Sequence, residues 1–163
     1  MGTFTVIAPH GGRLVNRVPP ESERAAQREK AAGRKALTLG PREASDLLML
    51  GVGAFSPLEG FLTSADYHAV VREGRLASGL PWTIPIVLPV SEEAAKGISV
   101  GEEVGLRSAA GELLGRLEVR DKFRYDKEEQ ARHVFGTTER KHPAVDYLYT
   151  CGEVLVGAPI TLK

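Results

Sequence analysis

The spacing of hydrophobic positions changes along this chain, and with it the kind of element each stretch predicts. Residues 3–20 show no helical period; they end in Pro19-Pro20 and read as extended chain with a turn at His10-Gly11-Gly12. Residues 21–34 (ESERAAQREKAAGR) are helix formers of both charges with few large apolar side chains, which predicts a solvated helix with Ser22 as a candidate cap. KALTL (35–39) reads as a short strand. Pro41 opens a second helix, where its missing N–H costs nothing. Ala44, Leu47 and Leu48 recur at i, i+3 and i+4 and predict one buried stripe, with Gly51 as the stop. A third helix starts at a Thr63 or Ser64 cap, carries Asp66 in its first turn and ends at Gly74. Its inner face is Tyr67, Val70 and Val71, which puts His68 on the exposed side.

The second half of the chain has a shorter period. WTIPIVLPV (82–90) is β-rich, but Pro85 and Pro89 confine it to an edge or bulged strand. Residues 103–108 and 112–120 form the clearest hairpin, with Val104 and Leu106 before the Ala109-Ala110-Gly111 turn and Leu113, Leu117 and Val119 after it. Asp126 with Glu129 predicts a capping box for a helix that turns Ala131, Val134 and Phe135 inward and stops at Gly136. A short helix follows Pro143, and EVLVGAPITLK (153–163) closes with strand character. Helices crowd the first half and short strands the second, without the alternation that a doubly wound parallel sheet requires. The pattern predicts an α+β domain: a small, partly open barrel or curled sheet with helices packed around it.

Composition narrows the class. The chain has 163 residues, 42% hydrophobic and 26% charged, enough for one domain with a real core. Lys plus Arg equals Asp plus Glu at 21 each, which gives no field for steering nucleic acid or anionic membranes. Cys151 is alone, so no internal disulfide forms and a reducing cytoplasm is the expected setting. MGTFTVIAPHGG lacks the basic flank and apolar core of a signal peptide, and no stretch has the length of a membrane span.

Candidate chemistry is sparse. His10, His68, His133 and His142 share no ligand spacing, and one cysteine makes no zinc cluster. Gly51-Val52-Gly53 begins like a dinucleotide fingerprint, but Ser56 stands where glycine or alanine belongs and the segment follows a helix instead of a strand. The whole stretch GVGAFSPLEGFL (51–62) reads instead as a packed corner between two helices, with Phe55, Leu58, Phe61 and Leu62 available for burial. Cys151 has no signature around it and reads as a small half-buried residue. Glu102-Glu103 and Glu128-Glu129 are adjacent in sequence and so point apart. The one candidate anion-binding set is His10, Gly11, Gly12 and Arg13, where glycines let backbone N–H groups converge and the two side chains supply charge. No catalytic or metal residue is nominated.

Five blocks occur in a telling order: APHGGRLVNR (8–17), GAFSPLEGFL (53–62), DYHAVV (66–71), RLASGLPWTIPIVLPV (75–90) and VFGTTERKHPAV (134–145). Together they resemble the N-terminal domain of ATP sulfurylase (sulfate adenylyltransferase), over nearly the whole chain. The resemblance implies a PUA-like pseudo-barrel of short, mostly antiparallel strands across residues 1–163, with a structural role. It also implies a catalytic nucleotidyltransferase domain, absent from this chain, that joins sulfate to ATP with magnesium. That domain's Gln-x-Arg-Asn-Pro, His-x-x-His and Gly-Arg-Asp motifs do not occur here; Gln130-Ala131-Arg132-His133 matches only three letters of the first. The expected partners are the catalytic domain and, in the full enzyme, further copies of the subunit, with no cofactor in this segment. The alternative reading is a freestanding PUA-like module that binds RNA through Arg24, Arg28, Lys30, Arg34 and Lys35, or binds an anion through residues 9–13.

Overall fold

A computed structural model describes residues 6–163. Its organising element is the last strand. In chain order the strands are β1 (Ala36–Thr38), β2 (Gly60–Phe61), β3 (Pro89–Val90), β4 (Glu103–Arg107), β5 (Leu113–Glu118), β6 (Asp121–Arg124) and β7 (Val154–Leu162). The nine residues of β7 pair with four other strands. Its first half lies between β3 and β6 (Leu155 opposite Pro89 and Phe123), and its second half between β2 and β5 (Ala158 opposite Phe61, Ile160 opposite Leu117). β4 follows β5 and β1 follows β4, the last pair parallel and the others antiparallel. The sheet therefore curls around one spine as a half-barrel, in keeping with the expected α+β pseudo-barrel.

The sequence of β7 explains why it takes the centre. VLVGAPITL is apolar on both alternating sides, the pattern of a strand covered on both faces. Leu155, Val156 and Ile160 are fully buried. Gly157 is a matter of space: a side chain there would begin 2.6 Å from Thr63 Cα and 2.9 Å from the Leu62 carbonyl oxygen.

The helices are α1 (Glu21–Ala32), α2 (Pro41–Gly51), α3 (Ser64–Glu73), α4 (Glu92–Lys96), α5 (Lys127–Gln130) and α6 (Pro143–Thr150), with a π-helical turn (Ala131–Phe135) continuing α5. α1 is exposed apart from Ala31 and half-buried Gln27, as its charges predict. Gln27 and Arg34 tie it down: Arg116 donates to Gln27 at 3.0 Å and also pairs with Glu103, which Arg34 meets at 2.6 Å. Its cap position is Pro20, not Ser22, because the chain is already helical at Glu21. α3 ends at a left-handed Gly74 as expected, and Tyr67, Val70 and Val71 are buried. Its first amide is held from outside the helix: Ser64 N–H donates to Asp121 Oδ2 at 2.8 Å.

Several expectations shift in register. Residues 82–90 contribute only Pro89–Val90 to the sheet, because Pro85 and Pro89 remove the donors that a longer ladder needs. Their remaining carbonyls still serve it, with Ile86 accepting from Leu62 N–H and Leu88 from Val156 N–H, both at 3.0 Å. The hairpin holds, with Val104 opposite Leu117, but a bulge at Leu106/Arg107 leaves Leu113 half-buried. Asp126 caps α5 through Glu129 N–H, yet the box stays half-made because Glu129 reaches across to Arg72 at 2.7 Å. After α5 the wider π-helical turn buries Gln130 and Ala131 and leaves Val134 and Phe135 half-covered. His68 is half-buried instead of exposed, its ring 5.2 Å from that of Tyr67 and 6.1 Å from that of Phe123, with Nδ1 enclosed and unpaired. Leu48 departs furthest: it is 54% exposed, and the inner face of α2 is Glu43, Leu47, Leu50 and Gly51.

Candidate functional site

The corner 51–62 organises the N-terminal region. Leu58, Phe61 and Leu62 are buried and Phe55 half-buried, as the packed-corner reading expects. Ser56, which breaks the glycine fingerprint in the sequence, is 4% exposed and ties two segments together: its hydroxyl accepts from Val15 N–H at 2.8 Å and donates to the Gly53 carbonyl at 2.7 Å. Gly60 lets β2 meet β7, since a side chain there would begin 1.8 Å from the Ala158 carbonyl oxygen.

The anion-binding candidates sit on this corner, and the structure sends them in different directions. Gly11 and Gly12 both have left-handed φ (77° and 83°), and Gly12 N–H closes the turn on the Pro9 carbonyl at 2.8 Å. Gly11 faces Pro57 and Leu80. His10 Nε2 lies 2.8 Å from the Pro81 carbonyl oxygen, and its ring is 5.9 Å from that of Trp82. Arg13 points the other way, 3.6 Å from Glu59 and exposed. The turn thereby docks the N-terminal segment against residues 57 and 80–82.

His10 also lines an open cleft of about 500 Å³ between α2 and residues 81–86. Trp82, Phe55 and Ile84 supply its apolar wall, and Arg42 and Asp46 its polar end. Phe55 meets Trp82 edge-on at 6.2 Å, and the Trp82 indole N–H is already spent on the Ile84 carbonyl at 2.8 Å. The cleft therefore presents ring faces, not the indole donor.

Beyond Arg42 and Asp46 lies a smaller, partly open pocket of about 40 Å³, room for a few waters at most. Here α2 meets α6. Glu43, only 7% exposed, accepts from the Tyr147 hydroxyl at 2.6 Å, and Arg42 lies over the Tyr147 ring at 5.2 Å. Desolvation raises the Asp46 carboxyl above its ordinary range against the pull of Arg42. Burial likewise pushes up the Cys151 thiol and the Tyr147 phenol, with the Glu43 charge adding to both. The Glu43–Tyr147 hydrogen bond thereby welds α2 to α6 across the pocket. Lys127 completes the tie by donating to the Cys151 carbonyl at 2.5 Å and to Glu153 at 2.7 Å.

Other charged groups are similarly engaged. Of the five cations in the RNA reading, Arg34 meets Glu103, and Lys35 meets Glu102 at 3.1 Å and the Gly97 carbonyl at 2.9 Å. Arg24 donates to the Pro19 carbonyl at 3.3 Å. Among the described residues no three His, Cys, Asp or Glu side chains gather as a metal site, and no helix is long and apolar enough to cross a membrane.

A family model described as a PUA-like domain matches residues 7–163. The chain belongs to the PUA-like domain family. Among curated relatives of this PUA-like chain, "Probable bifunctional SAT/APS kinase 2" of Sorangium cellulosum is 50% identical over 159 residues, covering 98% of the chain. A sulfate adenylyltransferase of Synechocystis is 42% identical over 160 residues, again covering 98%. The PUA-like chain spans only 27% of the first relative's length and 41% of the second's. Among solved structures, a hexameric APS kinase from Thiobacillus denitrificans superposes with a TM-score of 0.71 at 29% identity, over 96% of this chain and 27% of that one.

Proposed function

We propose that this chain is the N-terminal, PUA-like domain of a sulfate adenylyltransferase. The reaction, ATP plus sulfate to adenylyl sulfate plus pyrophosphate, then belongs to the rest of a longer polypeptide, which would bind ATP and magnesium. The observation that carries this reading is identity of 50% and 42% over 98% of the chain, to proteins more than twice its length. The inventory of the site supports it. In the small pocket Glu43 and Tyr147 are spent on each other, and the residue 9–13 turn docks a segment.

On this reading the domain is a rigid platform. β7 anchors four strands, and α2 and α6 are locked through Glu43 and Tyr147. We propose that the full enzyme is cytoplasmic and also that it assembles from several subunits, the assembly being supported by the hexameric APS kinase on which the chain superposes. The test is pyrophosphate release with ATP, magnesium and sulfate. The 163-residue chain gives no sulfate-dependent release, and the longer native polypeptide does. Turnover by the 163-residue chain alone overturns the platform reading.

A further inference from the structure

The cleft between α2 and residues 81–86 has two features that the platform role leaves unused. The first is a wall of ring faces: Phe55 meets Trp82 edge-on at 6.2 Å, and the His10 ring tilts toward Trp82 at 5.9 Å. Ile84, on the same wall, is left 50% exposed. His10 Nε2 and the indole N–H are already taken, by the Pro81 and Ile84 carbonyls. The wall therefore holds a ligand by apolar contact and stacking. A cleft of about 500 Å³ falls within the range of small-molecule sites, about 300–1,000 Å³.

The second feature is the polar end. Arg42 and Asp46 stand one turn apart on α2, at i and i+4, a spacing that puts Cβ atoms about 5–6 Å from each other. Among the described residues neither forms an ion pair or a side-chain hydrogen bond, with the other or with any third group. The Arg42 guanidinium rests over the Tyr147 ring at 5.2 Å, which leaves its N–H groups unspent. Glu43, between them in sequence, is engaged by the Tyr147 hydroxyl at 2.6 Å. Asp46 is half-buried, so its carboxylate has given up water without gaining a donor. An unpaired anion beside an unpaired cation, at the end of an aromatic cleft, complements a ligand that carries the opposite pair.

We propose that this cleft binds a free aromatic α-amino acid. Its ammonium meets Asp46, its carboxylate meets Arg42, and its ring lies against Trp82 and Phe55. Two ligand charges on one carbon match two protein charges on one helical turn, and a guanidinium fork holds a carboxylate through two hydrogen bonds. A ligand with only one of these charges leaves the other protein group without a partner. The inference goes beyond the domain reading above and does not rest on it.

Trp82 is the one tryptophan of the chain, so its emission reports the cleft alone when excited where phenylalanine does not absorb. Phenylalanine titrated into the 163-residue chain should change that emission saturably. Hydrocinnamate, which lacks the ammonium, and phenethylamine, which lacks the carboxylate, should each bind at least about tenfold more weakly, the loss of one hydrogen bond between charged groups. Asp46→Asn should weaken phenylalanine by at least about tenfold and leave hydrocinnamate unchanged. Arg42→Gln should weaken phenylalanine and leave phenethylamine unchanged. A damaged fold would weaken every compound together, so this crossed pattern separates recognition from structure. No saturable change, or equal affinity for the three compounds, overturns the proposal. Saturation by guanosine but not by phenylalanine assigns the cleft to a nucleobase and overturns it as well. The longer native polypeptide should retain labelled phenylalanine in equilibrium dialysis with the same dependence on Asp46. Failure there, with binding in the 163-residue chain, means that the cleft is covered in the longer protein and removes the proposal.

Discussion

Tyr67 offers a sharp test of how the helical layer is held to the half-barrel. Its side chain is 1% exposed, and its hydroxyl donates to Gln130 Oε1 at 2.8 Å; Gln130 is itself 5% exposed. The ring is packed by Phe123 at 5.5 Å and by Tyr125 edge-on at 5.9 Å. Tyr67→Phe removes one oxygen and leaves that packing in place, so the loss is that of a buried acceptor deprived of its donor. Such a loss costs about 1–2 kcal/mol, which lowers Tm by about 3–6 °C in a domain of this size. Gln130→Leu orphans the hydroxyl instead and costs a similar amount. The double variant has no stranded polar atom, and its cost should fall below about 1 kcal/mol. Two-state urea unfolding at constant m-value would measure the cycle, with an expected coupling of about 1–3 kcal/mol. Strict additivity within about 0.5 kcal/mol, or a neutral Tyr67→Phe, would refute the claim that this hydrogen bond joins α3 to α5.

Burial raises the phenols of Tyr67, Tyr125 and Tyr147 above the ordinary value of 10.0. Because the folded values lie above the unfolded one, their contribution to stability is fully present below pH 10 and is lost as pH climbs toward the folded values. Absorbance at 295 nm should therefore show a step in tyrosinate that coincides with unfolding, and three phenols that titrate freely in the folded protein would contradict it. Gly157→Ala should destabilise by about 3 kcal/mol or more by chemical denaturation, because its new methyl meets the backbone of residues 62 and 63. Gly33→Ala is the control: its φ is −88° with open space around it, so it should stabilise by about 0.4–1 kcal/mol. Asp121→Ala strips the acceptor from the first amide of α3 and should cost about 1 kcal/mol, read as a lower urea midpoint.

Residues that act within their own element were legible. Pro41 and Gly74 mark helix ends because their backbone preferences are local, and both stand where expected. The Val104–Leu117 hairpin and the closing strand were equally clear, since alternation over five or more residues is a strong signal. α4 escaped notice although Ser91 caps it by accepting from Ala94 N–H, because five residues hold too little periodicity. β6 was hidden for the same reason: the four residues DKFR carry no pattern of their own and are strand only because β7 is there to pair with. The corner 51–62 was recognised as packed, but the role of Ser56 was not, because its partner Val15 lies 41 residues away. His10 and Arg13 are neighbours in sequence, yet the turn at Gly11-Gly12 sends one to Trp82 and the other to Glu59.

By itself, then, the sequence determined the α+β class, the PUA-like blocks, most helix ends and the strand character of the closing segment. These follow from preferences and periods that act over a few residues. Tertiary structure alone decided that β7 pairs with four partners, that His68 is half-enclosed and that Glu129 turns from its cap to Arg72. Leu48 shows the physical reason. Its spacing with Leu47 states that an apolar surface should be covered, but not by what. Only the surrounding chain determines that Leu47 faces the core and Leu48 faces outward.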